Sequence, residues 1–142
     1  MSHFDLNKLT RAVENEDNKC IIDLDNKIIK TQKNNILQQM QFKGEKLKEL
    51  HCKLKDYRYI DEVNELRYGS YLRWINLNNP DNLKLTNGAY LCDIKINDDG
   101  IQLLCKTAIN RMVQFKIDEC VIFQKNTDQE KILLKALDYL NK

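Results

Sequence analysis

The apolar residues of this 142-residue chain change their spacing part-way along, and that change limits the folds open to it. Before Gly69 they recur at helical intervals; after it they alternate with polar residues between regularly placed turn signals. A chain patterned this way folds as α+β, with helices preceding a small antiparallel barrel or sandwich of about five strands and a C-terminal helix closing it. We read residues 1–66 as a helical, coiled-coil-prone region and residues 67–142 as a small β domain with its terminal helix.

In the helical region, Ser2 and Asp5 make a loose helix-start signal, and Leu6, Leu9 and Val13 place one apolar stripe on a helix over residues 3–16. Asp25 or Asn26 caps a second, longer helix. Ile22, Ile29, Ile36, Lys43, Leu50 and Tyr57 lie seven apart, and Met40, Leu47 and Leu54 interleave with them. Over residues 36–57 the two series follow the alternating four-three spacing of a coiled-coil seam. Ile29, Ile36, Met40, Leu47, Leu50, Leu54 and Tyr57 are thus the candidate oligomer interface, and a homodimer is the expected assembly. The same stripe also suits an amphipathic helix docked on the chain's own β domain. Asn26, Lys33 and Lys43 weaken the seam, and Gly44, costing about 1 kcal/mol relative to alanine in a helix interior, marks a bend.

After a short helical stretch over residues 60–66, strands are expected over 70–77, 83–86, 89–96, 101–106, 112–117 and 120–124, the second of them marginal. Asn78-Asn79-Pro80-Asp81, Asn87-Gly88 and Asn97-Asp98-Asp99-Gly100 supply the turns between them. Thr127-Asp128-Gln129-Glu130 matches a capping box and opens a final helix over 128–141.

The net charge of +2 hides an uneven distribution: residues 1–25 carry −3, residues 26–58 carry +6 and residues 59–142 carry −1. The basic segment attracts nucleic acid or an acidic protein, or is simply a solvated helix face. The apolar runs are too short for a bilayer, and residues 1–11 lack the apolar core of a secretory signal. Five cysteines without a C-x-x-C pair then point to reduced thiols in an intracellular setting, cytoplasmic or nuclear.

Catalytic chemistry is sparse. His51 and Cys52 are neighbours, so on a helix their side chains diverge by about 100° and do not make a nucleophile–base pair. Cys92, Cys105 and Cys120 all fall on strands, but their spacing matches no metal signature. No glycine-rich phosphate loop or hydrolase motif is present. Asp98-Asp99 suits a turn for backbone reasons alone. The reading is therefore non-enzymatic and calls for no cofactor or metal.

One constellation invites a binding role. From Tyr57 to Trp74 aromatic and basic residues interleave, and Arg58, Arg67, Tyr68, Tyr71 and Arg73 form the candidate partner-binding surface. Aromatic faces stack on bases and arginines pair with phosphates, while Tyr and Arg are also enriched at protein interfaces. The third reading is structural, with aromatics covering a junction between helix and sheet. On a strand, Leu72 and Trp74 share one face and Tyr71 and Arg73 the other. The function expected is a self-associating interaction and assembly protein that binds another protein. The alternative is nucleic-acid binding by the basic helix over 26–58 with strand 68–74 assisting.

The stretch Tyr68-Gly69-Ser70-Tyr71-Leu72-Arg73-Trp74-Ile75, followed by Leu83-Lys84-Leu85-Thr86-Asn87-Gly88-Ala89-Tyr90-Leu91, resembles uncharacterised proteins of nucleocytoplasmic large DNA viruses. In these a glycine opens an aromatic and basic strand and a second glycine precedes the next. The resemblance covers residues 66–96, and Asn87-Gly88 stands where those proteins often carry two glycines. It implies a virus-encoded protein of the infected cell or virion and no particular activity.

Overall fold

Positive φ angles at Gln41 (68°) and Gly44 (58°) divide what the apolar spacing presents as one long helix. A computed structural model describes residues 6–15, 18 and 24–140, and among them three helices precede a six-stranded sheet and a fourth follows it. The helices are α1 (Leu6–Glu14), α2 (Asn26–Gln39), α3 (Gly44–Lys53) and α4 (Asp128–Leu140). The start signal at Ser2 and Asp5, the seam position Ile22 and the last residues of the expected C-terminal helix lie outside the described residues.

The chain divides into two compact units, one ending at Lys53 and resuming at Asn126, the other spanning Leu54–Lys125. In the helical unit α4 packs on α1 and α2, so the C-terminal helix groups with the N-terminal ones. Ala12, Ile29, Leu133 and Leu134 form its core, flanked by Leu9 and Leu24. Two caps fix the helix starts. The Asp25 carboxylate accepts from the Ile28 N–H at 2.8 Å. Thr127 and Glu130 form the reciprocal capping box, with Thr127 N–H donating to Glu130 Oε1 at 2.9 Å and Glu130 N–H donating to Thr127 Oγ1 at 3.1 Å. Asn26 donates from its backbone and side chain to the Asp138 carboxylate at 2.9 and 2.6 Å, tying the start of α2 to α4.

No coiled coil is present among the described residues. The heptad spacing over 36–57 runs through the left-handed turn at 41–44, and past Lys53 the chain leaves the helix altogether. Leu54 sits in a turn and Tyr57 opens a strand. Ile29, Leu50, Leu54 and Tyr57 are buried within a single copy, and Ile36, Met40 and Leu47 are half-buried.

The β unit contains β1 (Tyr57–Ile60), β2 (Tyr71–Asn76), β3 (Ala89–Asn97), β4 (Gly100–Lys106), β5 (Met112–Lys116) and β6 (Cys120–Lys125). All pairs are antiparallel, in the order β1-β6-β2-β3-β4-β5. The helix expected over 60–66 is instead the end of β1 and a single 3-10 turn at Val63–Glu65. Residues 83–86 contribute only the bridge between Ile75 and Leu85.

This sheet is open, not a barrel or sandwich, because β1 and β5 are its two edges. It is nevertheless strongly curled. In a flat sheet β5 and β6 would lie about 19 Å apart, four strand spacings. A single 3-10 turn, Ile117–Glu119, joins them, and four residue steps reach about 14 Å at most. Likewise the rings of Trp74 on β2 and Phe115 on β5 stack with centroids 4.2 Å apart, across two intervening strands. The concave face holds one core that includes Ile60, Leu72, Trp74, Leu91, Leu103, Phe115 and Ile122. Cys92 is the extra residue of a bulge between Leu91 and Asp93, which bends β3 where the curl needs it. Among the described residues no helix is long and apolar enough to cross a membrane.

Candidate functional site

The aromatic and basic residues singled out by the sequence are divided between the two faces of the sheet: Arg58 and Trp74 lie on one, and Tyr57, Tyr59, Tyr71 and Arg73 on the other. On β1 Arg58 is buried, 2% exposed, opposite Gln124 of β6, and its charge pulls down the otherwise raised carboxyl of Glu65. Arg67 N–H donates to Gln124 Oε1 at 3.0 Å, and Gln124 Nε2 donates to the Glu65 carbonyl at 3.0 Å. One buried glutamine thereby fastens the segment after β1 to the sheet. Tyr68 projects at 65% exposure just before Gly69.

Tyr71 and Arg73 lie on the opposite face of β2 from Trp74, as their alternation requires. Both hold the loop that precedes β3. The Tyr71 hydroxyl donates to the Asn87 carbonyl at 2.8 Å, and Arg73 Nε donates to the Thr86 carbonyl at 2.8 Å. The ring of Tyr71 meets Tyr90 edge-on at 4.9 Å. Gly88, at φ +99°, lets the loop come close: a Cβ there would sit 2.5 Å from the Leu72 carbonyl oxygen and 2.6 Å from the Tyr71 ring. The Tyr71 hydroxyl and Arg73 Nε thus each hold this loop to β2.

A concavity lies elsewhere, at the gap the open sheet leaves. It has a volume of about 220 Å³. One wall is Tyr59, Ile60 and Asp61 at the end of β1; the other is Ile117 and Asp118 of the 3-10 turn, with Ile101 of β4. Val63, Cys120 and Ile122 complete the lining. Ile60 and Ile122 belong to the core, and Val63, Ile101, Ile117 and Cys120 pack on it half-buried, so the floor is apolar and continuous with the core. Asp61 and Asp118 are exposed at the rim.

Negative charge gathers here. The β unit carries ten basic and ten acidic residues, but seven of the carboxylates (Asp61, Glu62, Glu65, Asp98, Asp99, Asp118, Glu119) belong to the segments around this end. A Cβ at Gly100 would lie 3.6 Å from Asp118 Oδ2, which places the β3–β4 turn against the 3-10 turn. Burial raises the Glu65 carboxyl above the usual range; Arg58 opposes the rise, and Glu62 and Asp61 add to it. Burial likewise raises the Tyr59 phenol, helped by Asp61 and Glu65. Glu119 accepts from Asn78 Nδ2 at 3.2 Å.

No protein-family model, curated protein or solved structure matches this chain. The chemistry of the site has to be read from its residues. The thiol of Cys120 is pushed up to about 11 by burial and the Glu119 charge, so it stays protonated at neutral pH and is a poor nucleophile. Cys105 is pushed up to about 12, chiefly by burial. Among the described residues no group of three or more His, Cys, Asp or Glu is placed to hold a metal ion, and the strand cysteines Cys92, Cys105 and Cys120 do not converge on one. What the cleft offers is a set of partly buried apolar side chains between two rim carboxylates, Asp61 and Asp118. Its residues come from three separate stretches, 59–63, 101 and 117–122, so no local motif announces it; the acidic runs at 61–65, 98–99 and 118–119 were its only trace.

Proposed function

We propose that this chain is a non-enzymatic interaction protein whose curled β unit receives part of a partner polypeptide in the cleft at its acidic end. The observation that carries the reading is a concavity of about 220 Å³ in which the partly buried side chains of Val63, Ile101, Ile117 and Cys120 lie between the exposed carboxylates of Asp61 and Asp118. Contiguous apolar surface in a recess with a polar rim is the usual form of a recognition site. The resemblance carried by residues 66–96 makes a virus-encoded interaction protein the setting of this proposal.

Two other readings have less support. Self-association through the seam would use Ile29, Leu50, Leu54 and Tyr57, which a single copy already buries. Nucleic-acid binding keeps the lysines of residues 26–55, but Arg58, Tyr71 and Arg73 have roles within the fold.

Selection from an unbiased peptide display library on the full chain tests the proposal. Enriched peptides should lose binding to a Cys120→Trp variant, in which a large side chain fills the cleft. Failure to enrich any peptide, or enriched peptides indifferent to that substitution in a folded variant, would refute it.

A further inference from the structure

We propose that the outer face of the sheet, the one turned away from the core, binds single-stranded nucleic acid independently of the cleft. Tyr90 stacks on a base, and Lys95, Lys106, Lys116 and Lys125 meet the phosphates around it. Strand alternation and register bring these residues together. On β4 and β5 the core takes Leu103, Cys105 and Phe115, so Lys106, Met112 and Lys116 turn outward. On β3 Ala89, Leu91 and Ile94 belong to the core, which turns Tyr90 outward before the bulge and Lys95 outward after it. Gln124 of β6 pairs with Leu72 of the core, so Lys125 beside it also faces out. The pairing aligns Tyr71, Tyr90, Lys106 and Met112 in one row across β2 to β5, and Lys125 extends that row on β6. From Lys125 to Met112 it crosses four strand spacings, about 19 Å along the surface, which is room for several nucleotides.

Charge sets this face apart. The β unit as a whole is neutral, with ten basic and ten acidic residues. Five of the basic ones (Arg73, Lys95, Lys106, Lys116, Lys125) point outward from the strands, against one acidic residue, Asp93. Among the described residues no carboxylate pairs with Lys95, Lys106, Lys116 or Lys125, and Asp93 accepts from the N–H of Ile94 at 2.9 Å. The face therefore presents uncompensated positive charge, which fits a polyanion. The aromatic pair selects among polyanions. Tyr90 is 49% exposed, and its ring meets Tyr71 edge-on at 4.9 Å. The Tyr71 hydroxyl, bonded to the Asn87 carbonyl, holds the pair in place, so stacking a base on it costs little side-chain ordering. A ring set among lysines suits an unpaired base and its flanking phosphates, whereas a duplex keeps its base faces within its own stack. This is not the surface that residue type alone suggests: Arg58 is buried on the other face, and the basic segment 26–55 takes no part.

The test uses the full chain and a fluorescent oligothymidylate of about 12 nucleotides, followed by anisotropy at increasing salt. Tyr90→Ala should weaken binding about 5- to 150-fold, the scale of one lost base stack, and Tyr90→Phe should keep most of the affinity. The combined Lys95→Gln, Lys106→Gln and Lys116→Gln variant should lower the slope of log affinity against log salt by about 2, since each phosphate contact to a single strand contributes about 0.7. Because these side chains face solvent, this variant carries the test if Tyr90→Ala does not fold. Exposed Lys43, Lys46 and Lys48 of the helical unit serve as the control, and their replacement by glutamine should leave that slope unchanged. An unchanged urea midpoint of Trp74 fluorescence shows that each variant is folded. No binding at low salt, equal affinity for a duplex of the same length, or indifference to either the Tyr90→Ala or the triple substitution overturns the inference. A loss confined to the Lys43, Lys46 and Lys48 control overturns it as well. Binding of a polyglutamate peptide as tight as that of the oligonucleotide also overturns it and assigns the face to an acidic protein.

Discussion

Replacing Gly88 with alanine asks whether the loop before β3 is held by close backbone approach. Its φ of +99° is in the left-handed half of backbone space, which costs an L-residue about 1–2 kcal/mol. The new methyl would also lie 2.5 Å from the Leu72 carbonyl oxygen, a backbone atom in a paired strand, and 2.6 Å from the Tyr71 ring. Neither can retreat freely, because Leu72 pairs on both sides and the Tyr71 hydroxyl is bonded to Asn87. Such overpacking costs about 1–3 kcal/mol more. Gly69 provides the control, with φ +82° and nothing within 4 Å of its Cβ position. Gly69→Ala should therefore cost about 1–2 kcal/mol and Gly88→Ala about 2–5 kcal/mol. The unfolded-state effect of glycine to alanine is common to both and cancels in the comparison. The single tryptophan, Trp74, is buried on Phe115 and reports the β unit alone, so urea titration of its fluorescence reads the difference. Equal losses in the two variants would refute the close-approach argument.

Gln124→Ala should destabilise the β unit by about 1–3 kcal/mol, since it strands the part-buried Arg67 N–H and Glu65 carbonyl; the same fluorescence titration measures it. Thr127→Ala removes one half of the capping box and should cost the helical unit about 1 kcal/mol, seen by far-ultraviolet circular dichroism. His51, whose Nε2 lies 3.0 Å from Asn34 Oδ1, is held below its ordinary value of 6.5 by burial and by Lys33 and Lys30. The unfolded chain then takes up the proton more readily, so stability is full above pH 6.5 and falls as pH drops through it; His51→Gln should flatten that slope. Among the described cysteines, alkylation near pH 8, mapped by mass spectrometry, should modify exposed Cys52 and Cys92 first and reach Cys120 and Cys105 only slowly, because their thiols are raised to about 11 and about 12.

Local chemistry was legible where it was self-contained. Thr127 and Glu130 bond to each other's backbones three residues apart, so their capping box needs nothing from the rest of the chain. The alternation of Tyr71 through Ile75 and the turn at Asn87-Gly88 are equally local, and the strands they predict are present. The seam misled because heptad spacing does not itself require a helix. Tyr57 extended the series by count, yet Tyr57-Arg58-Tyr59-Ile60 is an aromatic and β-branched run that pairs with β6, more than sixty residues away. Gly44 did mark the break, although Gln41 shares the left-handed turn without being a residue type that signals one. For the expected binding surface, residue type shows that Tyr71 and Arg73 can reach a partner, and the fold adds that the Tyr71 hydroxyl donates to the Asn87 carbonyl and Arg73 Nε to the Thr86 carbonyl. The cleft is further still from legibility, since it exists only after the sheet curls.

The position of β6 has a consequence for how the molecule is made. Strands β2 to β5 are joined by successive hairpins and can zip together as they leave the ribosome. β1 cannot join them, because the strand that links it to β2 emerges last. The helical unit also waits, because α1 and α2 pack on α4, which follows β6. Residues 120–140 therefore complete both units, and α1, α2 and β1 wait for these partners until that stretch has emerged. A stall or cleavage just before Cys120 would release a hairpin array with Arg58 unburied and the helical core incomplete, a species prone to aggregation and early proteolysis.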